Sequence, residues 1–212
     1  MIRRALALAS LVLLTASLAG ASEDTRTSVL AAQGAVQVLR AGRTLDAAKG
    51  AVLQAGDEIV TSSGASVDVG WAGLWGCRLM GDGKIKIDSL ALEDQRVGME
   101  RGTMLFRFNK MPVKSAFKLM APTVTATVRG TAFAATVRPD GGSTLAVLHG
   151  KVEAVSATGQ TLMLGAGQAV DLTAAGAGDP RALSADETAL LGGTETVRSG
   201  GKRSRKDRQG YF

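Results

Sequence analysis

Apolar and polar residues alternate with a period of two through the middle of the chain. Val67, Val69 and Trp71 alternate with Ser66 and Asp68, Ile85 and Ile87 with Lys84, Lys86 and Asp88, and Met104, Phe106 and Phe108 with Thr103 and Arg107. Successive side chains of a strand point to opposite faces, so each run predicts a strand with one face in a core. Glycines at 34, 42, 50, 56 and 64 punctuate the first part at the spacing of short strands joined by tight turns. Ala55-Gly56-Asp57, Gly81-Asp82-Gly83 and Asp140-Gly141-Gly142 tolerate the positive φ that a chain reversal requires, and are read as turns. Such frequent glycine argues against helix, where each one costs about 1 kcal/mol relative to alanine. Residues 28–172 are therefore predicted to form one all-β domain of short strands.

Within it, the apolar parity changes. Val124, Ala126 and Val128 are even, whereas Phe133, Ala135 and Val137 are odd. A strand's side-chain period is two, so Arg129-Gly130 is predicted to be a bulge or a corner where the chain moves to another sheet. After Leu172 a Gly/Ala-rich linker begins, and Ser184 with Glu187 has capping-box spacing, which predicts a short helix over 185–191 ended by Gly192. Residues 173–193 are thus linker and helix. From Thr194 to Phe212 Gly, Ser, Lys and Arg predominate, and this stretch is expected to be a disordered basic tail.

At the other end, Arg3 and Arg4 precede an apolar run from Ala5 to Leu18 and the small residues Ala19-Gly20-Ala21. This predicts a secretory signal peptide over residues 1–21, cleaved after Ala21, rather than a membrane anchor, which needs about 20 apolar residues. The mature protein is expected to be soluble and periplasmic or secreted. Of the formal charge of +6, Arg3 and Arg4 supply two and residues 197–212 supply five net, so the body between is one negative. That near-neutrality removes the case for nucleic acid as a partner. One cysteine and one histidine exclude a disulfide scaffold and a zinc ribbon, and no cofactor or metal is expected. Cys77, without a partner in the chain, reads as a small buried hydrophobe.

The segment Ala121-Pro122-Thr123-Val124-Thr125-Ala126-Thr127-Val128-Arg129-Gly130-Thr131-Ala132-Phe133 resembles the signature of the FecR domain family. Leu53-Gln54-Ala55-Gly56-Asp57-Glu58-Ile59-Val60-Thr61 is similar to its opening pattern, Gly102-Thr103-Met104-Leu105-Phe106 to its middle strand, and Leu148-His149-Gly150-Lys151-Val152 with Gly165-Ala166-Gly167-Gln168 to its closing one. The resemblance implies a solenoid-like or roll-like β domain of the cell envelope. It also implies a structural role for the motif residues Gly56, Asp57, Pro122, Val128, Arg129, Gly130, Thr131, Phe133 and Gly150. The family's namesakes relay receptor occupancy to a sigma factor through a membrane helix. Here a cleavable signal is expected at the N-terminus and about forty residues follow the β domain, so transmembrane signalling is not expected to carry over with the resemblance.

Few residues offer chemistry. Arg129 has two readings, a fork for a carboxylate or phosphate and a group satisfying carbonyls at the corner. Asp57 and Asp82 read as turn residues, because one carboxylate per turn falls short of a calcium shell. His149 reads as a core or edge residue, and no nucleophile elbow accompanies it. Trp71 alternates with Val69 and reads as core, whereas Trp75, flanked by Gly73 and Gly76, is a candidate exposed aromatic for a protein or sugar partner. Lys202, Arg203, Arg205 and Lys206 are candidates for weak contact with anionic lipid or polymer. The leading expectation is a non-enzymatic binding or scaffolding module of the bacterial envelope with a protein or glycan partner. A sensory component working through a separate membrane partner is the alternative, and an envelope hydrolase a third reading.

Overall fold

The computed structural model describes residues 26–71, 73–109 and 115–200. The proposed signal peptide and the cluster Lys202 to Lys206 lie outside them. The strands are β1 (Thr27–Gln33), β2 (Val36–Arg40), β3 (Arg43–Asp46), β4 (Glu58–Thr61), β5 (Ser66–Trp71), β6 (Trp75–Ala91), β7 (Asp94–Phe108) and β8 (Phe117–Ala121). They continue as β9 (Val124–Val128), β10 (Ala132–Val137), β11 (Ser143–His149), β12 (Lys151–Ser156), β13 (Thr161–Gly165), β14 (Gln168–Thr173), β15 (Gly176–Ala177) and β16 (Arg181–Ala182). One helix, α1 (Ala185–Gly192), and a 3-10 turn, Gly193–Thr196, close the described chain. The fold is all-β with a short C-terminal helix.

All strands belong to one hydrogen-bonded sheet that folds over itself. The fold-over is built into β6 and β7, a hairpin of 17 and 15 residues. The first half of β6 pairs with β5 and the second half with β4. Likewise β7 pairs first with β8, in parallel, and then with β10. One layer therefore runs β13-β12-β9-β8-β7-β6-β4-β2-β3, and the other β14-β11-β10-β7-β6-β5-β1, with the hairpin common to both.

Gly81-Asp82-Gly83 marks the bend. These residues are not the predicted turn: Met80 pairs with Thr103 and Lys84 with Arg101, so three residues of β6 bulge opposite Gly102 alone. Asp82 has the positive φ (50°) expected of a reversal, but here it serves a bulge, whose local backbone demand is the same. Buried Thr61 accepts the Gly83 amide at 3.0 Å, tying the bulge to β4. A β-carbon on Gly102 would stand 2.6 Å from the Gly83 Cα, so the two strands meet there with no room for a side chain.

Between the layers lies one core that includes Val29, Ile59, Val67, Val69, Ile85, Ile87, Met104, Phe106, Leu119, Phe133, Leu145 and Leu164. The predicted inward sets are the observed ones. Because β7 doubles back, Phe108 at its end and Phe117, beside its start, bring their rings to 5.0 Å. A second apolar cluster covers the outer face of β7, β10, β11 and β14, where Leu105, Ala134, Ala146 and Ala169 meet Leu191 and Val197. Alanine at three of those positions lets the helix approach the sheet closely. Ser184 caps α1 by accepting the Glu187 amide while the Glu187 carboxylate accepts the Ser184 amide, as the spacing predicts.

Residues 194–200 depart from the expected tail. Thr194 and Val197 are buried, and the segment crosses the outer face of β5 and β6 as a strap. Composition suggested almost nothing to bury there, but the strap is held by backbone carbonyls and hydroxyls together with the Val197 side chain.

Candidate functional site

The Val-Arg-Gly-Thr segment is the predicted corner. Strand β9 lies in one layer, between β8 and β12, and β10 lies in the other, between β7 and β11. Val128 and Phe133 both enter the core, so the extra residues between them reconcile two strands of opposite parity. Gly130 turns the chain at φ +68° and Gly150 makes the return crossing from β11 to β12 at φ +84°. The crossings nest, since a β-carbon on Gly150 would stand 2.8 Å from the Thr131 Cγ2. Thr131 is buried and its carbonyl accepts the Phe108 amide at 2.9 Å, while Phe133 stacks on Phe106 with centroids 4.6 Å apart. Pro122 stands exposed in the turn before β9. Arg129 and Lys151 are exposed on the outside of the corner and give it a cationic surface, and His149 is exposed beside them. His149 is thus a surface residue at the end of β11 and not a core one.

Asp57 is more than the turn residue the sequence suggested. It is 1% exposed and receives both arms of the Arg40 guanidinium, Nε on Oδ1 and Nη2 on Oδ2, each at 2.7 Å, together with the Gln54 amide at 2.8 Å. Burial alone would push its carboxyl up, but the Arg40 fork and the Gln54 amide hold it below the usual carboxylate range. Gly56 turns at φ +92°, and its amide and the Asp57 carbonyl both bond to Ile87. The motif thereby anchors the start of β4 to β2 and β6.

Trp75 is not an exposed aromatic. It is 1% exposed, its ring packs edge-on against Phe117 at 5.3 Å, and its indole Nε1 donates to the Gln95 Oε1 at 2.7 Å. Trp75 pairs with Phe108 in one layer and Gln95 with Phe117 in the other, so this hydrogen bond bridges the two layers. The flanking glycines have another purpose. Gly70 and Gly76 pair across β5 and β6, and a β-carbon on either would run into the backbone of the strap at Arg198 or Ser199. Trp71 is core, as predicted. Cys77 is free and buried, and burial followed by the charge of Asp68 pushes its thiol well above the ordinary range.

The strap and its trough form the feature that sequence reading missed. Arg107 Nη1 donates to the Glu195 carbonyl at 2.7 Å, and Arg78 Nη1 to the Thr196 hydroxyl at 3.0 Å. The Gly73 amide donates to the Ser199 carbonyl at 3.0 Å, and Asn109 Nδ2 to the Ser199 hydroxyl at 3.0 Å. Arg78 is itself oriented by Asp68, which is buried, through bonds of 2.6 and 2.9 Å. The available signal was the pair Gly70 and Gly76 on strands otherwise rich in bulky residues, together with Leu105 set between the inward Met104 and Phe106.

Among the described residues no three of His, Cys, Asp and Glu lie together as a metal site would need, and no helix is long and apolar enough to cross a membrane. A shallow hollow of about 360 Å³ is lined by Arg26, Thr27, Val52, Leu53, Trp71, Leu90 and Leu92, a mostly apolar set.

The family model of the FecR protein matches residues 57–153, the span from the Arg40 anchor's carboxylate to the strand beyond the nested corner, and that span is a FecR domain match. Two crystal structures of a candidate anti-sigma factor from Parabacteroides distasonis ATCC 8503, at 1.65 and 2.50 Å, each share its fold with TM-score 0.54 and 16% identity. In both cases the match spans 62% of this chain and 62% of theirs. No curated protein matches the sequence.

Proposed function

We propose that the protein is an extracytoplasmic sensory component of a sigma-factor or receptor signalling system, acting on the cytoplasm through a separate membrane partner. The observation that supports this best is a FecR domain whose strands follow the arrangement of a candidate anti-sigma factor. Export belongs to the proposal and rests on Arg3, Arg4 and the apolar run after them. The cationic surface at the corner, with Arg129 foremost, is the contact offered to the partner. It sits on a rigid element, because two nested crossings and the Phe106–Phe133 stack fix the backbone beneath it.

Transcript profiling of a deletion strain tests this reading. The expected result is a change confined to one sigma-factor regulon, restored by the wild-type chain and not by an Arg129→Glu chain of equal abundance. An unchanged profile under every envelope stress tried would sink it.

A scaffolding or binding module for an envelope protein or glycan is the second reading. It draws on the bracing of the outer face by α1 and the strap, which gives a stiff platform. A crosslinking pull-down from intact cells separates the two. Enrichment of a membrane-embedded regulator favours signalling, and enrichment of cell-wall material favours the scaffold.

A further inference from the structure

The trough over Gly70 and Gly76 has the parts of a peptide-binding site. Its floor is bare at Gly70 and Gly76, so the backbone of Arg198 and Ser199 lies directly on the sheet there, beside the Leu30 side chain. Its donors stand in fixed places, two on the carbonyls of Glu195 and Ser199 and two on the hydroxyls of Thr196 and Ser199. Between these hydroxyls Val197 enters the apolar cluster beside Leu105 and Leu191. Backbone bonds give such a site its affinity, and one anchored side chain with flanking hydroxyls gives it selectivity. The pattern it accepts is a hydroxyl residue, a β-branched residue, a free position and a serine, which Thr196-Val197-Arg198-Ser199 supplies.

The strap is joined to the domain by two glycines that differ. A β-carbon on Gly193 would meet only the end of the Leu105 side chain, at 2.9 Å from its Cδ1. At Gly192 the φ of −54° and ψ of −29° suit any residue, and the space where a β-carbon would stand is open. Nothing in the closed form calls for glycine at 192, so its freedom serves another backbone conformation, as at a hinge.

We propose that the trough is a peptide-recognition site which the chain fills with its own residues 194–200, and that a second copy fills it by exchanging the same segment about Gly192. The second copy is the occupant because it carries the one sequence the structure shows to fit. A reciprocal exchange also closes with two-fold symmetry and remakes the bonds that Glu195, Thr196 and Ser199 make to the trough. The inference stands independently of the signalling role.

A full-length chain with Asn109→Cys and Ser199→Cys tests the exchange, because the two side chains already meet and Cys77 is buried away from them. When tagged and untagged chains are mixed and oxidised, disulfide-linked pairs of one of each are expected to rise as concentration is raised about 100-fold. Intrachain disulfide alone at every concentration overturns the exchange. A fluorescent peptide Gly-Thr-Glu-Thr-Val-Arg-Ser-Gly, titrated onto full-length Val197→Asp, tests the site itself. It is expected to bind at least about tenfold more tightly than to wild type, and to lose binding when Gly76→Val is added. Failure to bind a Val197→Asp chain that circular dichroism shows to be folded overturns the site. Peptide binding without interchain disulfide overturns the second copy as its occupant.

Discussion

The carbonyl oxygen of Arg198 lies where a β-carbon on Gly76 would stand, so the strap and the middle of β6 exclude any side chain between them. Residues more than a hundred positions apart are thus matched by the absence of an atom. Gly76→Ala is expected to lift the strap and lower stability by about 1–3 kcal/mol, the range for overpacking. Hydrogen exchange is the check: the amides of residues 194–200 should lose protection while those of β9 and β12 keep theirs.

Gly192→Ala should act in the opposite direction. The residue is helical and has room, so the substitution narrows the unfolded ensemble and is expected to stabilise by about 0.4–1 kcal/mol. The urea midpoint should rise with the slope unchanged. A lower midpoint would mean that residue 192 is strained in the closed form.

Trp75 bridges the layers, and its variants should report folding before any partner. Trp75→Phe leaves the Gln95 oxygen without its indole donor and is expected to cost about 1–3 kcal/mol. Trp75→Ala should cost about 3–5 kcal/mol through loss of packing. Denaturant titration gives both figures. A Trp75→Phe chain as stable as wild type would remove the bridge from the account.

Asp57 and Glu187 set the acid limit of the fold. Hydrogen bonds from Arg181 chiefly, with the Ser184 amide, lower the Glu187 carboxyl from 4.5 to about 2. A lowered folded value gives stability that is complete above the unfolded value and is lost as the pH falls. The contribution of Glu187 should therefore fade between about pH 4.5 and pH 2, and Asp57, also lowered, acts with the same sign. Solvent around half-exposed Arg181 screens the pair, so Glu187→Gln is expected to remove only about 1 kcal/mol at neutral pH. Melting curves from pH 7 to pH 2 should converge for wild type and Glu187→Gln at the acid end.

Asp57→Asn is the sharper test of the anchor between β2 and β4. It leaves the part-exposed Arg40 fork facing a neutral amide at a buried position, and about 2 kcal/mol is expected to be lost. Circular dichroism with urea measures it, and a loss below about 0.5 kcal/mol would show that the turn at Gly56 holds without the pair.

Much of this was legible in the sequence, because a strand's period of two is a strong constraint. Val128 and Phe133 announced a corner by their parity, and the inward sets of β5, β6 and β7 were read from alternation alone. Gly81-Asp82-Gly83 misled because a turn and a bulge ask the same positive φ of the middle residue. Only the partner strand decides between them. Trp75 misled for a related reason: glycines beside a tryptophan look like a loop, whereas Gly70 and Gly76 are bare to admit a segment more than a hundred residues away. The Arg40–Asp57 pair was invisible, since nothing local links positions 17 apart. The strap escaped because backbone carbonyls and two hydroxyls hold it, and those leave little mark on composition.

The long hairpin has one more implication. Since β6 and β7 are members of both layers, neither layer owns a complete set of hydrogen bonds without the other. The domain has no seam along which half of it opens while half stays shut. Heat should melt the two layers in one cooperative step, whichever is probed. A force or a bound partner acting on the Arg129 corner is then felt at β5, on the far side of the hairpin, as a change in the stability of the whole.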